Sequence, residues 1–424
     1  MAQKIESLRG MEDILPGEVE KWQWLEEKVR IFFGMRGYRE IRTPILEYTE
    51  LFNRSVGEAS DILHKEMFAF EDRGGRNIAL RPEMTASVAR AVIEKGLLTQ
   101  AKSLRLYYLG PMFRAERPQA GRKRHFHQMG IEIINESGWR CDFEAIVLLH
   151  DFLDSIGIKN MKFRLNDLGS SEDQKKAKAA LQNYFGIEKS KLCPDCHYRL
   201  EKNVLRIFDC KNPSCQPVIE KAPWEEIAPL SSDFKQICYQ LEARAIPFQV
   251  QRRLVRGLDY YNGTVFEVSA EGLGAQDALA GGGRYDRLYN DLGGKPAPCT
   301  GFALGMERLM MAAEASGASL GEQLRENFIY LGALDGLNDE DYKMIPDTAG
   351  KLSSLGFRTV IGGKYSNPTD HLKLANKIKA RYFVMLGQNE MSERKWLVKD
   401  LDKRTEEKIA FGKLFSHLKG IDPV

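Results

Sequence analysis

Residues 103–135 read SLRLYYLGPMFRAERPQAGRKRHFHQMGIEIIN, two β-rich runs separated by the basic segment ERPQAGRKR. The pattern predicts an antiparallel hairpin with a long loop. Strand side chains alternate faces, so Gln128, Gly130 and Glu132 share one side of the second run. Tyr108, Gly110, Met112 and Arg114 share a side of the first, and antiparallel pairing carries Arg114 toward the glutamine and glutamate. Arginine clamps a phosphate through two parallel hydrogen bonds, and a carboxylate accepts an ammonium or an N–H. Such a face holds a zwitterion beside a nucleotide; the plain alternative is the solvated side of a half-exposed sheet. Within the loop, Arg117, Arg122, Lys123 and Arg124 accompany the single acid Glu116. These cations suit ATP phosphates or an RNA backbone, or else are simply solvated.

On the N-terminal side of the hairpin, residues 18–34 space Trp22, Leu25, Val29 and Phe32 or Phe33 along one helical face. YREIRTPILEY is strand-like, and Pro82 to Ile93 is helical in pattern. Pro82 in LRPEMTA stands where a helix begins, putting Glu83 in its first turn with Thr85 close by. There Glu83 either meets a ligand amine or compensates the helix dipole.

Beyond the hairpin, residues 169–245 turn lysine-rich and helical, as an inserted module. VQRRLVRGLDYY and TVFEVSA then read as strands, AGGGRYD as a glycine-rich turn, and GFALGMERLMMAAE as a strand entering a helix. After a small polar linker at 315–327, four short apolar or β-branched runs with helix-like segments between the first three predict a C-terminal α/β domain over 328–424.

Arg256 in LVRGLDYY is a cation beside flexible backbone, followed by Tyr260 and Tyr261, which either contact a ligand or pack. Three successive glycines in AGGGRYD allow close approach of backbone to a ligand, yet form neither a P-loop nor a dinucleotide fingerprint. Arg308 falls in the first turn of a helix, where the dipole disfavours a cation unless an anion binds there.

Composition frames these readings. The 424 residues are enough for two to four domains, and 43% apolar with 29% charged residues excludes a disordered or fibrous chain. The start MAQKIESLRGMEDILPGE lacks a signal-peptide core and no run approaches the ~18 apolar residues of a membrane span, so a cytosolic protein is expected. A net charge of +3 leaves any nucleic-acid contact to local patches. Four of seven cysteines, Cys193, Cys196, Cys210 and Cys215, are spaced C-x2-C-x13-C-x4-C. That spacing suits tetrahedral zinc holding the inserted module, the alternative being four reduced cysteines.

Arginines near glycine, arranged around a glutamate-bearing sheet face, are what adenylate formation requires. Here the chain resembles the class II aminoacyl-tRNA synthetases, and within them the histidyl-tRNA synthetases, from about residue 4 to 420. YREIRTP resembles motif 1, GPMFRAERPQAGRKRHFHQMGIE motif 2 and GFALGMERL motif 3, while LVRGLDYY and AGGGRYD resemble the two histidine-specific signatures. The resemblance implies an α+β catalytic domain over 1–320, its mixed, mostly antiparallel sheet flanked by helices and interrupted by the insertion. It also implies a homodimer and an anticodon-binding C-terminal domain.

By that resemblance Arg114 binds the ATP α-phosphate and Arg308 the γ-phosphate, with Mg2+ bridging outer phosphates. Arg256 lies against the α-phosphate and the histidine carboxylate, in place of a catalytic metal. Glu83, Thr85 and Gln128 hold the histidine amino and carboxylate groups, Glu132 with Tyr260 or Tyr261 reads the imidazole, and Tyr285 walls the pocket. Gln119 and Arg122 meet the acceptor end of tRNA(His). The implied alternative is an inactive paralogue, a regulatory histidine-binding subunit, which typically departs from both signatures and lacks the C-terminal domain.

Overall fold

In the computed structural model, residues 4–57, 63, 66–118, 121–273, 278–318, 320–321, 327–363 and 367–419 are described. The chain forms two compact units, Met1–Leu15 with Leu25–Leu320, and Pro16–Trp24 with Gly321–Val424. Among the described residues no helix is long and apolar enough to cross a membrane.

In chain order the first unit contains β1 (Arg39–Glu40), the short strands β2 (Leu46–Tyr48), β3 (Ala69–Glu71) and β4 (Asn77–Leu80), and the hairpin β5 (Leu104–Phe113) and β6 (His125–Ile134). There follow β7 (Lys162–Asp167), β8 (Phe248–Val250), β9 (Asn262–Ser269), β10 (Ala278–Arg284) and β11 (Cys299–Gly305). Strands β2, β4 and β3 make a small antiparallel sheet. The other eight form one sheet in the order β1-β5-β6-β11-β10-β9-β7-β8, antiparallel except for the parallel pairs β1–β5 and β7–β8 at its edges. The mixed, mostly antiparallel sheet that the resemblance implies is therefore present.

The hairpin register sets Tyr108 opposite Gly130, Gly110 opposite Gln128, and Leu106 opposite Glu132. Arg114 stands one residue past β5, where its N–H donates to the Arg124 carbonyl at 2.9 Å. Alternation divides the two faces. Tyr107 turns toward Phe33 of the helix Val19–Gly34, ring centroids 6.1 Å apart, and Phe152 of the helix Trp139–Ser155 closes the same cluster at 5.3 Å from Phe33. Tyr108 and Met112 instead join a separate core with Tyr260 and Tyr285, behind the opposite face.

Three local expectations are corrected. AGGG belongs to β10 in the middle of the sheet, not to a turn, since its backbone pairs with β9 and β11 on both sides. LVRGLDYY is a loop rather than a strand, because its carbonyls are satisfied by side chains instead of a ladder. The Asn166 amide donates to the Arg252 and Leu254 carbonyls at 2.9 Å, Arg206 to Arg256 at 2.8 Å, and Gln174 to Tyr261 at 3.1 Å. The helix expected from Pro82 begins at Thr85, with Glu83 just before it.

Residues between β7 and β8 are helical, including Ser171–Ile187, which opens with a Ser170–Asp173 capping box, Pro194–Lys202 and Ser232–Ala243. The second unit carries β12 (Phe328–Ala333), β13 (Arg358–Ile361), β14 (Tyr382–Leu386), β15 (Lys395–Asp400) and β16 (Thr405–Ala410), in the order β13-β12-β14-β15-β16. Its first three strands pair in parallel, linked by the helices Met344–Ser354 and Pro368–Lys377, and the last two add antiparallel. This is the expected α/β unit plus one strand. TEEKIA escaped the pattern because β16 is an exposed edge with no apolar alternation.

Candidate active site

A cavity of about 230 Å³ opens on the β5–β6–β11–β10 face of the large sheet. Arg114, Arg122, Lys123, Arg256 and Arg308 line it, as do the carboxylates of Glu83, Glu116 and Glu307. Five cations against three carboxylates make it a receptor for anions. The Nε of Arg114 donates to the Pro82 carbonyl at 2.9 Å, and its guanidinium stands 5.2 Å from the centre of the Phe126 ring, which also lines the space. Arg308 occupies the first turn of the helix Met306–Ala315, beside Glu307. Glu307 is already engaged: it accepts the His127 backbone N–H at 2.9 Å, tying that helix to β6.

Arg256 reaches the cavity because glycine lies beneath it. Its Nη1 donates to Glu267 Oε2 on β9 at 2.9 Å, and Gly281 pairs with Glu267 across the β9–β10 ladder. A methyl group on Gly281 would overlap the Arg256 guanidinium. The two glycine-containing segments read separately in the sequence are thus one device: LVRGLDYY supplies the cation and AGGGRYD the space for it.

Deeper in, the Glu83 carboxylate accepts the N–H groups of Thr85 at 2.8 Å and Ala86 at 2.9 Å, capping the helix Thr85–Glu94. The helix-start reading of Glu83 holds, and the same side chain lines the cavity. Burial pushes its carboxyl upward in pKa, opposed by those two N–H donors and by Arg114. Glu132 is buried behind the cavity wall, where the Tyr285 hydroxyl donates to its Oε2. Burial pushes the Glu132 carboxyl up to about 8, against hydrogen bonds from Tyr285 and Thr85. Gly301 on β11 makes room for it, since a Cβ there would collide with the carboxylate and with the Ile131 carbonyl. Tyr260, Tyr261 and Tyr285 form an aromatic cluster, Tyr260 lying 4.7 Å from Tyr261 and 5.5 Å from Tyr285 between ring centroids.

Arginines lining one cavity beside a buried carboxylate–tyrosine pair fit the resemblance noted in the sequence. A model of the family described as histidyl-tRNA synthetase matches residues 10–173 and 218–309, more than half of the chain. The chain belongs to the histidyl-tRNA synthetase family. Residues 337–421 match the anticodon binding domain. A histidine–tRNA ligase of Desulfitobacterium hafniense is 43% identical over 403 residues, covering 94% of this chain and 93% of that protein. One from Anaeromyxobacter sp. strain K is 41% identical over 424 residues, 98% of this chain and 100% of its own. The apo S. aureus histidyl-tRNA synthetase structure matches with a TM-score of 0.78 at 29% identity, across 98% of this chain and 100% of that one.

Of the residues singled out on the strength of the synthetase resemblance, Arg114, Arg256, Arg308, Arg122, Glu83, Thr85, Gln128, Tyr260 and Tyr261 line the one cavity. Glu132 and Tyr285 are buried behind it and bonded to each other. Gln119 lies outside the described residues. Cys193, Cys196, Cys210 and Cys215 come together elsewhere, within the inserted helices. Sequence reasoning missed Glu267 and Glu307. Glu307 carried a signal, being an acid in a helix first turn next to Arg308. Glu267 carried none, as its role follows from strand register alone.

Proposed function

We propose that this protein is an ATP-dependent histidine–tRNA ligase, joining L-histidine to tRNA(His) through a histidyl-adenylate and releasing AMP and diphosphate. The observation that carries the reading is the single cavity lined by Arg114, Arg256 and Arg308 together with Glu83, Thr85, Gln128 and Tyr260. It offers three cations, two of them held in place, for phosphates and a carboxylate, and acceptors for an ammonium. An inactive regulatory subunit has no need of Arg256, Glu267 and Gly281 assembled as one unit.

In the first step a histidine carboxylate oxygen attacks the α-phosphorus of ATP in line, the bond to the bridging oxygen breaks, and diphosphate leaves. Arg114 holds the α-phosphate, Arg308 the γ-phosphate, and Arg256 spans the α-phosphate and the incoming carboxylate. Because Pro82 and Glu267 hold Arg114 and Arg256, these cations meet the developing charge with little reorganisation. Phe126 offers a flat apolar surface beside the phosphate clamp, suited to a purine ring. ATP enters as its Mg2+ complex; Glu116 and Glu307 are hard oxygen donors that fit the cation, which supplies charge neutralisation on the phosphates. Glu83, Thr85 and Gln128 take the histidine amino and carboxylate groups, while Glu132, held by Tyr285, sits behind Tyr260 and Tyr261 as the polar end of the imidazole site. In the second step a ribose hydroxyl at the tRNA 3′ end attacks the acyl carbon and AMP leaves.

Residues 1–320 form the catalytic domain, interrupted at about 169–245 by the helical insertion, and 328–424 the anticodon-reading domain. Arg122, with Gln119, meets the acceptor end of the tRNA. The chain works as a homodimer; the exposed Leu46 and Tyr48, directly after the motif 1-like segment, and Phe70 on the same small sheet support a second copy as partner. Histidine-dependent exchange of labelled diphosphate into ATP tests the whole reading. Exchange with histidine and with no other amino acid is expected; a folded preparation without exchange would overturn it.

A further inference from the structure

The family match skips residues 174–217, and that stretch contains all four clustered cysteines. Cys193, Cys196, Cys210 and Cys215 are buried, and their Sγ atoms lie within 4.8 Å of one another. The Cys193–Cys210 sulfur separation is 3.7 Å. A disulfide needs about 2.05 Å, whereas the edge of a tetrahedron with zinc–sulfur bonds of ~2.3 Å is about 3.8 Å. Backbone N–H groups point at two of the sulfurs, Cys193 N–H at Cys215 Sγ (3.1 Å) and Asn212 N–H at Cys210 Sγ (3.4 Å). A neutral thiol is a weak acceptor; a metal-bound thiolate uses such donors well. Four buried protein donors are the number that fills a tetrahedral shell with no open position, as a structural site requires.

Between the second and third cysteines runs the short helix Val204–Asp209, and it reaches the backbone of Arg256. Arg206, buried and paired with Asp209 at 2.6 Å, donates through Nη1 to the carbonyl oxygen of Arg256 at 2.8 Å. The four cysteines also share one hydrophobic core with Val255, against which Tyr261 packs. Whatever holds the cysteines together therefore holds the neighbours of Arg256.

We propose that the four cysteines bind one zinc ion as thiolates, and that the zinc fixes the segment carrying Arg206, which acts as a positioning residue for Arg256. Binding releases the thiol protons to solvent and leaves the metal's oxidation state unchanged. The zinc assignment stands on the cysteine geometry alone. Its link to catalysis rests on the role given to Arg256 above.

The test uses the full-length protein purified without chelator. Elemental analysis should find about one zinc per chain, and Cys196→Ser should lose it; cobalt substitution should give the intense visible bands of a tetrahedral thiolate site. A folded wild-type chain with no zinc, or with iron in its place, would overturn the metal assignment whatever its exchange activity. Because Cys196→Ser can unfold the insertion, the coupling is read from Arg206→Met, which leaves the ligands intact. It should retain zinc yet lower kcat of histidine-dependent exchange about tenfold or more, with a smaller change in KM for histidine, and Arg206→Lys should recover part of the loss. Full kcat in zinc-replete Arg206→Met would refute the coupling. Full kcat in Arg256→Ala would instead fault the catalytic reading and leave the zinc untouched.

Discussion

Gly281→Ala is the most discriminating perturbation that the structure suggests, because it removes no charged or hydrogen-bonding side chain yet displaces Arg256, the cation proposed above to serve adenylation. The added methyl overlaps the Arg256 guanidinium, which is the far end of a flexible side chain. Relief comes by swinging Arg256 off Glu267, breaking a 2.9 Å charge-assisted hydrogen bond, rather than by moving the strand. Stability should change by less than about 1 kcal/mol, since alanine is no worse than glycine in a strand interior. The rate should not be spared. Removing one preorganised transition-state donor costs about 10²- to 10³-fold, or ~3 to 4 kcal/mol, so Gly281→Ala should lose that much of kcat in diphosphate exchange, as should Arg256→Ala. The double variant should be no slower than either single one, a coupling energy of about 3 kcal/mol, because both remove the same cation from the same place. Circular dichroism and thermal unfolding verify the fold, and single-turnover adenylate formation isolates the chemical step. Additive losses, or normal turnover in Gly281→Ala, would refute the claim that this glycine exists to seat Arg256.

Glu132 makes stability depend on pH in a defined direction. Its carboxyl, raised by burial from an ordinary 4.5 to about 8, binds its proton more tightly folded than unfolded. Its contribution is thus intact below about pH 4.5 and declines as pH rises toward 8, by about 1.4 kcal/mol per unit. Glu132→Gln should therefore raise the unfolding free energy of the ligand-free protein by roughly 2 to 4 kcal/mol at pH 8 and not at pH 5; an unchanged pH slope in denaturant titrations would remove Glu132 as the source. Arg284, in the same AGGGRYD segment as Gly281, should behave in the opposite way to Arg256. It donates to buried Asp142 at 2.8 and 3.0 Å, so Arg284→Ala should destabilise the fold by about 3 to 5 kcal/mol, seen as an earlier urea midpoint, whereas Arg256→Ala should cost little stability. Tyr48→Lys, on the exposed small sheet, should shift the sedimentation velocity of the protein toward that of a single chain; an unaltered profile would place the partner surface elsewhere.

How far the sequence alone reached depends on the range of the interaction concerned. Alternation over Leu104–Phe113 and His125–Ile134 determined the hairpin and which of its residues share a face, because strand periodicity is written into neighbouring positions. Spacing likewise determined the N-terminal helix and the α/β alternation of the C-terminal unit, while the cysteine spacing marked its cluster. What the sequence could not determine by itself was decided between distant residues. Three glycines look like a turn until pairing with β9 and β11 puts them inside the sheet. LVRGLDYY looks like a strand until Asn166, Gln174 and Arg206, each at least 50 residues away, claim its carbonyls. Arg114, Arg256 and Arg308 line one cavity only because the fold brings three separated segments together. The position of Arg256 in that site is decided by strand register, which sets Gly281 beside Glu267, and register is a property of pairing that no local pattern encodes.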